Sequence, residues 1–189
     1  MNLANKLTIF RIILIPVYIV FLMVNITDYH YLIAVFIFIL AALTDYFDGK
    51  IARKYNYVTD FGKFADPLAD KLLVLSAMIC FVQLELMPAW ICIIIMAREI
   101  TISGIRLICA NKGTVVAASI LGKIKTVFQM AFVLLSTVNI EYYSSAGLIS
   151  AEFSAVIEMI RIVLMYIALA MTVISLADYI IKNKDCIIN

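Results

Sequence analysis

Apolar residues in this chain fall into six runs of about twenty, with only short polar intervals between them. A run of that length crosses the roughly 30 Å hydrocarbon layer of a bilayer as an α-helix, which pairs its backbone groups within its own segment. The runs cover roughly Leu7–Val24, Tyr31–Ala52, Phe64–Leu84, Pro88–Cys109, Ala117–Asn139 and Ala155–Ile181. The last is long enough to tilt or to continue past the membrane surface. Hydrophobic residues make up 65% of the 189, and the mean hydropathy is +1.06. Soluble domains are about 45–50% apolar. The expectation is an all-α integral membrane fold: a bundle of six transmembrane helices with short loops, forming a single domain over residues 1–189.

Charge placement gives the orientation. The segments after the first, third and fifth runs (25–30, 85–87 and 140–154) hold no Lys or Arg, and their charges are Asp28, Glu85, Glu141 and Glu152. The alternate segments are basic. They carry Lys6 and Arg11; Lys50, Arg53, Lys54 and Lys63; Arg106, Lys112, Lys123 and Lys125; and Lys182 and Lys184. The positive-inside rule then puts both termini in the cytoplasm, in a multi-pass protein of the cytoplasmic membrane. The net charge of +2 gives no reason to invoke nucleic acid, because the basic residues sit at membrane boundaries. The first run lacks a small-residue cleavage site after it and is expected to be retained.

Cys80, Cys92, Cys109 and Cys186 show no C-x-x-C spacing and read as small hydrophobes. The one histidine, His30, falls in an external loop, which removes Ser-His-Asp and Cys-His catalysis. Thr8 reads as an N-cap of the first helix. Asn111 to Gly113 reads as a helix stop.

Four aspartates break the apolar pattern in one short stretch. The spacing is D-x2-D-G-x2-A-R-x8-G-x3-D-x3-D, from Asp45 to Asp70. Each carboxylate costs roughly 2.5–3.5 kcal/mol at a helix centre in a bilayer, and less near the interface. Two of them about 5 Å apart repel by about 3 kcal/mol at an effective dielectric near 20. Arg53, Lys63 and Lys71 are too few to neutralise the set, so bound divalent cations are the expected counter-charge. On a helix Asp45, Asp48, Gly49 and Ala52 share one face, with Gly49 and Ala52 leaving a groove and Arg53 at its cytoplasmic end. Gly62, Asp66 and Asp70 share a face of the next helix. Pro67 there either starts a helix capped by Asp66 or lies inside one begun near Asp60.

Four carboxylates with no soft ligand specify hard oxygen coordination: Mg2+ or Mn2+, with Ca2+ also compatible. Two such ions about 3.5–4 Å apart suit in-line displacement at phosphorus. Asp70, last of the set and beside Lys71, is the candidate to take a proton from an attacking hydroxyl.

Asp45, Asp48, Gly49, Ala52, Arg53, Gly62, Asp66 and Asp70 together fill all eight positions of a signature that resembles that of the CDP-alcohol phosphatidyltransferases. The resemblance implies a homodimeric membrane enzyme with a cavity open to the cytoplasm. It implies two divalent metals on Asp45, Asp48, Asp66 and Asp70, and a CDP-diacylglycerol site at Thr8, Asp48, Gly49, Ala52, Arg53 and Gly62. It also implies Asp70 as general base, with membrane lipids as surroundings and CMP as leaving group.

A second polar patch bears on the acceptor. Arg98, Glu99, Ser103 and Arg106 lie in the fourth run, and Lys123 and Lys125 begin the fifth. Glu99 is expected to pair with only one of the two arginines at a time, leaving a positive surplus suited to an anionic, phosphorylated acceptor; interhelical salt bridging is the plainer reading. The stretches 97–106, 122–126 and 5–11 look like those of the phosphatidylglycerophosphate synthase branch of the family. That likeness implies sn-glycerol 3-phosphate as acceptor, held by Arg98, Arg106, Lys123 and Lys125. An inositol phosphate or serine is the alternative acceptor. Outside enzymes the rival is a cation transporter, but transport sites lie toward the midplane, whereas these aspartates lie at helix ends. A non-catalytic assembly subunit leaves the complete motif unexplained.

Overall fold

A computed structural model describes residues 3–55, 60–112, 119–144, 151–184 and 186, with side chains described at 5–44, 68–69, 71–110, 112, 119–140, 155–184 and 186. The described residues form six helices: α1 (Leu3–Met23), α2 (His30–Tyr55), α3 (Asp60–Gln83), α4 (Ala89–Asn111), α5 (Ile120–Ser144) and α6 (Ala151–Lys182). Each coincides with one apolar run. Asn5–Met23, Ile120–Ile140 and Ala155–Lys182 are long and apolar enough to cross a membrane. His30–Thr44 and Lys71–Gln83 are apolar over shorter lengths. The acidic signature takes the remaining turns of α2 and α3, and Arg98, Glu99 and Arg106 interrupt α4.

Polarity is distributed inside out. Phe36, Ile93, Ile100, Leu107 and Val127 are each at least 64% exposed, whereas Arg11, Lys125, Gln129, Asn139 and Arg161 are buried. Water would make such a surface an aggregation hazard. Lipid accepts it, and inward-facing polar side chains find partners on other helices.

Helix α3 packs against α1, α2, α4 and α5, and α6 closes the bundle against α5 and α4. Large side chains set these contacts. Tyr18 of α1 meets Phe38 of α2 with ring centroids 5.7 Å apart, and Phe81 of α3 meets Phe132 of α5 edge-on at 5.9 Å. Buried Tyr18 also shares a hydrogen bond with Thr137 of α5, at 3.2 Å.

At the end of the bundle away from the signature, α3 stops in a Schellman motif. The Leu86 N–H donates to the Phe81 carbonyl and the Glu85 N–H to the Val82 carbonyl. Glu85 occupies the left-handed position, with φ of 60°, where glycine is the usual residue. Arg161 of α6, 5% exposed, donates from Nη1 to the Leu86 carbonyl and pairs with Glu158. Glu158 also accepts from Asn139 of α5 at 2.6 Å. This clamp ties the α3–α4 turn to α5 and α6.

Several local expectations change. Thr8 lies inside α1, fully buried, because the helix begins at Leu3; it is not a cap. His30 is the first residue of α2, not a loop residue. It is buried, with Nδ1 3.0 Å from the Phe21 carbonyl oxygen of α1. Pro67 falls within α3, which starts at Asp60. Cys80 and Cys92 are buried free thiols, as small hydrophobes would be. Cys109 and Cys186 instead form a disulfide, with Cα atoms 5.9 Å apart. The packing of α4 on α6 brings together two residues that are 77 apart in sequence.

Candidate active site

The acidic signature occupies the adjoining ends of two helices. Asp45, Asp48, Gly49, Ala52 and Arg53 lie on the last turns of α2, and Gly62, Asp66 and Asp70 on the first turns of α3. Their backbone is helical, so each set keeps the one-face spacing that a helix imposes. The side chains of all eight lie outside the described residues, as do residues 56–59 between the helices. A connection of that length spans at most about 18 Å, which keeps the two acidic ends neighbours.

One residue beyond Asp70 the described side chains resume at Lys71, which lines a cavity of about 220 Å³ between α3, α4 and α5. Arg98, Arg106, Lys123 and Lys125 all line it too. Four residues from two different helices, expected to serve one anion, are therefore brought together. Lys71, which the sequence offers as a counter-charge for the aspartates, is a fifth cation of this patch.

Glu99 organises this charge. It is 7% exposed, and its Oε1 accepts from Arg98 Nη1 at 2.8 Å and from the ammonium of Lys125, which is 2% exposed. Lys71 Nζ stands 3.8 Å from Oε2 and donates to Ser103 Oγ; that hydroxyl donates to the Glu99 carbonyl at 2.6 Å. Glu99 pairs with one of the two arginines, as expected, and the same carboxylate oxygen also takes Lys125, whose long side chain reaches it from α5. Arg106 takes another partner. Its Nε donates to the Tyr179 hydroxyl at 3.3 Å, and its guanidinium carbon is 5.7 Å from the centroid of that ring. Arg98 Nη2 donates to Ser175 Oγ at 3.1 Å, and its Nε is buried without a partner among the described residues.

Close approach explains Gly122. A Cβ there would lie 3.3 Å from Arg98 Nη2 and 3.2 Å from Ser119 Oγ. Ser119 accepts the Gly122 N–H at 3.1 Å and so caps α5. The bare turn lets the Arg98 guanidinium lie against α5. Ser175 and Tyr179 of α6 were missed by the sequence reading. The signal was present, since Thr172, Ser175 and Tyr179 recur on one face of a mostly apolar helix.

Among the described residues, the five basic side chains and one carboxylate around this small cavity can neutralise a dianion and leave Glu99 satisfied. The adjoining acidic ends offer only carboxylate oxygen, which fits hard divalent ions.

The family model for CDP-alcohol phosphatidyltransferases matches residues 1–176. The CDP-diacylglycerol--glycerol-3-phosphate 3-phosphatidyltransferase of Bacillus subtilis is 40% identical, over 98% of this chain and 97% of that protein. The protein of the same name from Rickettsia typhi is 45% identical, over 68% of this chain and 72% of its own length. A probable phosphatidylglycerophosphate synthase of Mycobacterium tuberculosis is 35% identical, over 96% of this chain and 81% of that protein.

Proposed function

This chain belongs to the CDP-alcohol phosphatidyltransferase family, and on that premise we propose that it transfers the phosphatidyl group of CDP-diacylglycerol to sn-glycerol 3-phosphate. The products are phosphatidylglycerol phosphate and CMP. The observation that carries the choice of acceptor is the cavity beside Asp70, where Lys71, Arg98, Arg106, Lys123 and Lys125 gather around Glu99. Its volume of about 220 Å³ is below the roughly 300–1,000 Å³ of sites for drug-sized ligands. That size favours a small phosphorylated alcohol, and the charge disfavours serine.

In this reading Asp45, Asp48, Asp66 and Asp70 hold two divalent ions, Mg2+ or Mn2+. When bound, the ions offset charge on the diphosphate and on departing CMP. Gly49, Ala52 and Gly62 leave room for the cytidine nucleotide, Asp48 borders it, and Arg53 forks onto its phosphate oxygens; Thr8, fully buried within α1, offers it no surface. The cavity cations hold the acceptor phosphate and so fix its hydroxyl toward the α2–α3 ends. Asp70 takes the hydroxyl proton as the acceptor oxygen bonds to the phosphatidyl phosphorus. The bond from that phosphorus to the CMP oxygen breaks. The basic loops argue for an active site facing the cytoplasm from the cytoplasmic membrane. A homodimer is proposed from family resemblance alone.

Purified protein with Mg2+ and CDP-diacylglycerol is expected to release CMP only when glycerol 3-phosphate is added. Inositol phosphate and serine should compete poorly. Alanine at Asp45, Asp48, Asp66 or Asp70 should abolish release while the bundle stays folded, and full activity in any one removes that residue from its role. Nucleotide-independent cation flux in proteoliposomes would move the reading to transport.

A further inference from the structure

We propose that α6 contributes the positioning residues of the acceptor pocket: Tyr179 and Ser175 hold Arg106 and Arg98 in the orientation that receives the acceptor phosphate. This deepens the reading above and rests on it. Neither residue lines the cavity, whose walls come from α3, α4 and α5. Both are buried behind it, at 2% and 0% exposure.

A guanidinium can meet a phosphate side-on through Nε and one Nη, or end-on through both Nη groups. The Tyr179 hydroxyl takes Nε of Arg106, and the ring lies against the guanidinium. The two Nη groups have no hydrogen bond or ion pair among the described residues. Side-on binding is thereby closed, and the end-on fork is what the cavity receives.

Arg98 is fixed differently. Glu99 takes Nη1 and Ser175 takes Nη2, so its charge is presented without a free fork. Ser175 is oriented in turn by donating to the Thr172 carbonyl at 3.0 Å. Ser175 and Tyr179 are one turn apart, so one face of α6 sets both arginines. Arg106 is the directional ligand and Arg98 a fixed field.

The test measures steady-state CMP release by the full-length protein, varying glycerol 3-phosphate and CDP-diacylglycerol separately. Tyr179→Phe keeps the ring and removes the hydroxyl. It is expected to raise the KM for glycerol 3-phosphate about 10-fold, the lower range for a hydrogen bond to a charged group. The KM for CDP-diacylglycerol should stay put. Ser175→Ala should raise the acceptor KM by a smaller factor. In an Arg106→Ala background Tyr179→Phe should have no further effect on the acceptor KM, whereas Ser175→Ala should keep its effect. If the Tyr179 and Arg106 effects multiply independently, or if Tyr179→Phe shifts both KM values alike, Tyr179 is a packing residue and the proposal falls. If the wild-type protein shows no glycerol 3-phosphate dependence, the underlying reading falls and takes this one with it. That outcome is distinguishable because it appears before any α6 variant is compared.

Discussion

Glu99 is the residue on which the acceptor pocket turns. Its carboxylate stands among Lys71, Arg98 and Lys125, and removing one partner of a buried ion pair costs about 3–5 kcal/mol. Glu99→Gln should therefore lower thermal stability in detergent. Inorganic phosphate should then restore more stability to the variant than it adds to the wild type, because an anion replaces the missing charge; a thermal shift assay with and without phosphate reads both effects. Gly122 makes a separate demand. Gly122→Ala puts a methyl group 3.3 Å from Arg98 Nη2, so Arg98 must retreat. The acceptor KM should rise several-fold while the KM for CDP-diacylglycerol holds. An unchanged acceptor KM would show that Arg98 yields without consequence.

Among the elements, the α3–α4 turn couples local backbone chemistry to long-range packing. Glu85 holds a left-handed conformation that costs an L-residue about 1–2 kcal/mol, less the entropy cost of about 0.5–1 kcal/mol that glycine brings. Glu85→Gly should consequently stabilise the protein by roughly 0.5–1 kcal/mol, seen as a higher unfolding temperature. Arg161→Leu should do the opposite. It leaves the Leu86 carbonyl and Glu158 without their α6 partner, a loss of about 1–3 kcal/mol for an unsatisfied buried group. Both variants lie at the bundle end opposite the acidic signature, so kinetic constants should not move. A changed acceptor KM would mean that the two ends are mechanically coupled.

At the scale of the whole molecule, orientation is the open quantity that the charge pattern addresses. In a variant free of the four native cysteines, a membrane-impermeant thiol reagent should label Asp28→Cys from outside intact cells. Lys184→Cys should react only in inverted vesicles. Reversed labelling would invert the topology and place the acceptor pocket on the wrong side for a cytoplasmic phosphate ester. Much of the architecture was legible before folding: six apolar runs became six helices, and the stretches of α2 and α3 that carry the acidic signature have a helical backbone. Arg98, Arg106, Lys123 and Lys125 were legible as candidates for one site, because charge inside an apolar run demands a reason. Glu99 was legible as the partner of one arginine, but the partners on other helices were not. Lys125 meets Glu99 across 26 positions, Arg98 meets Ser175 across 77, and Arg106 meets Tyr179 rather than Glu99. Spacing along a helix fixes which side chains share its face, since that follows from the helical repeat alone. How far each helix is rotated against its neighbours depends on interlocking side chains from several helices at once, so only the packed bundle decided which charges meet.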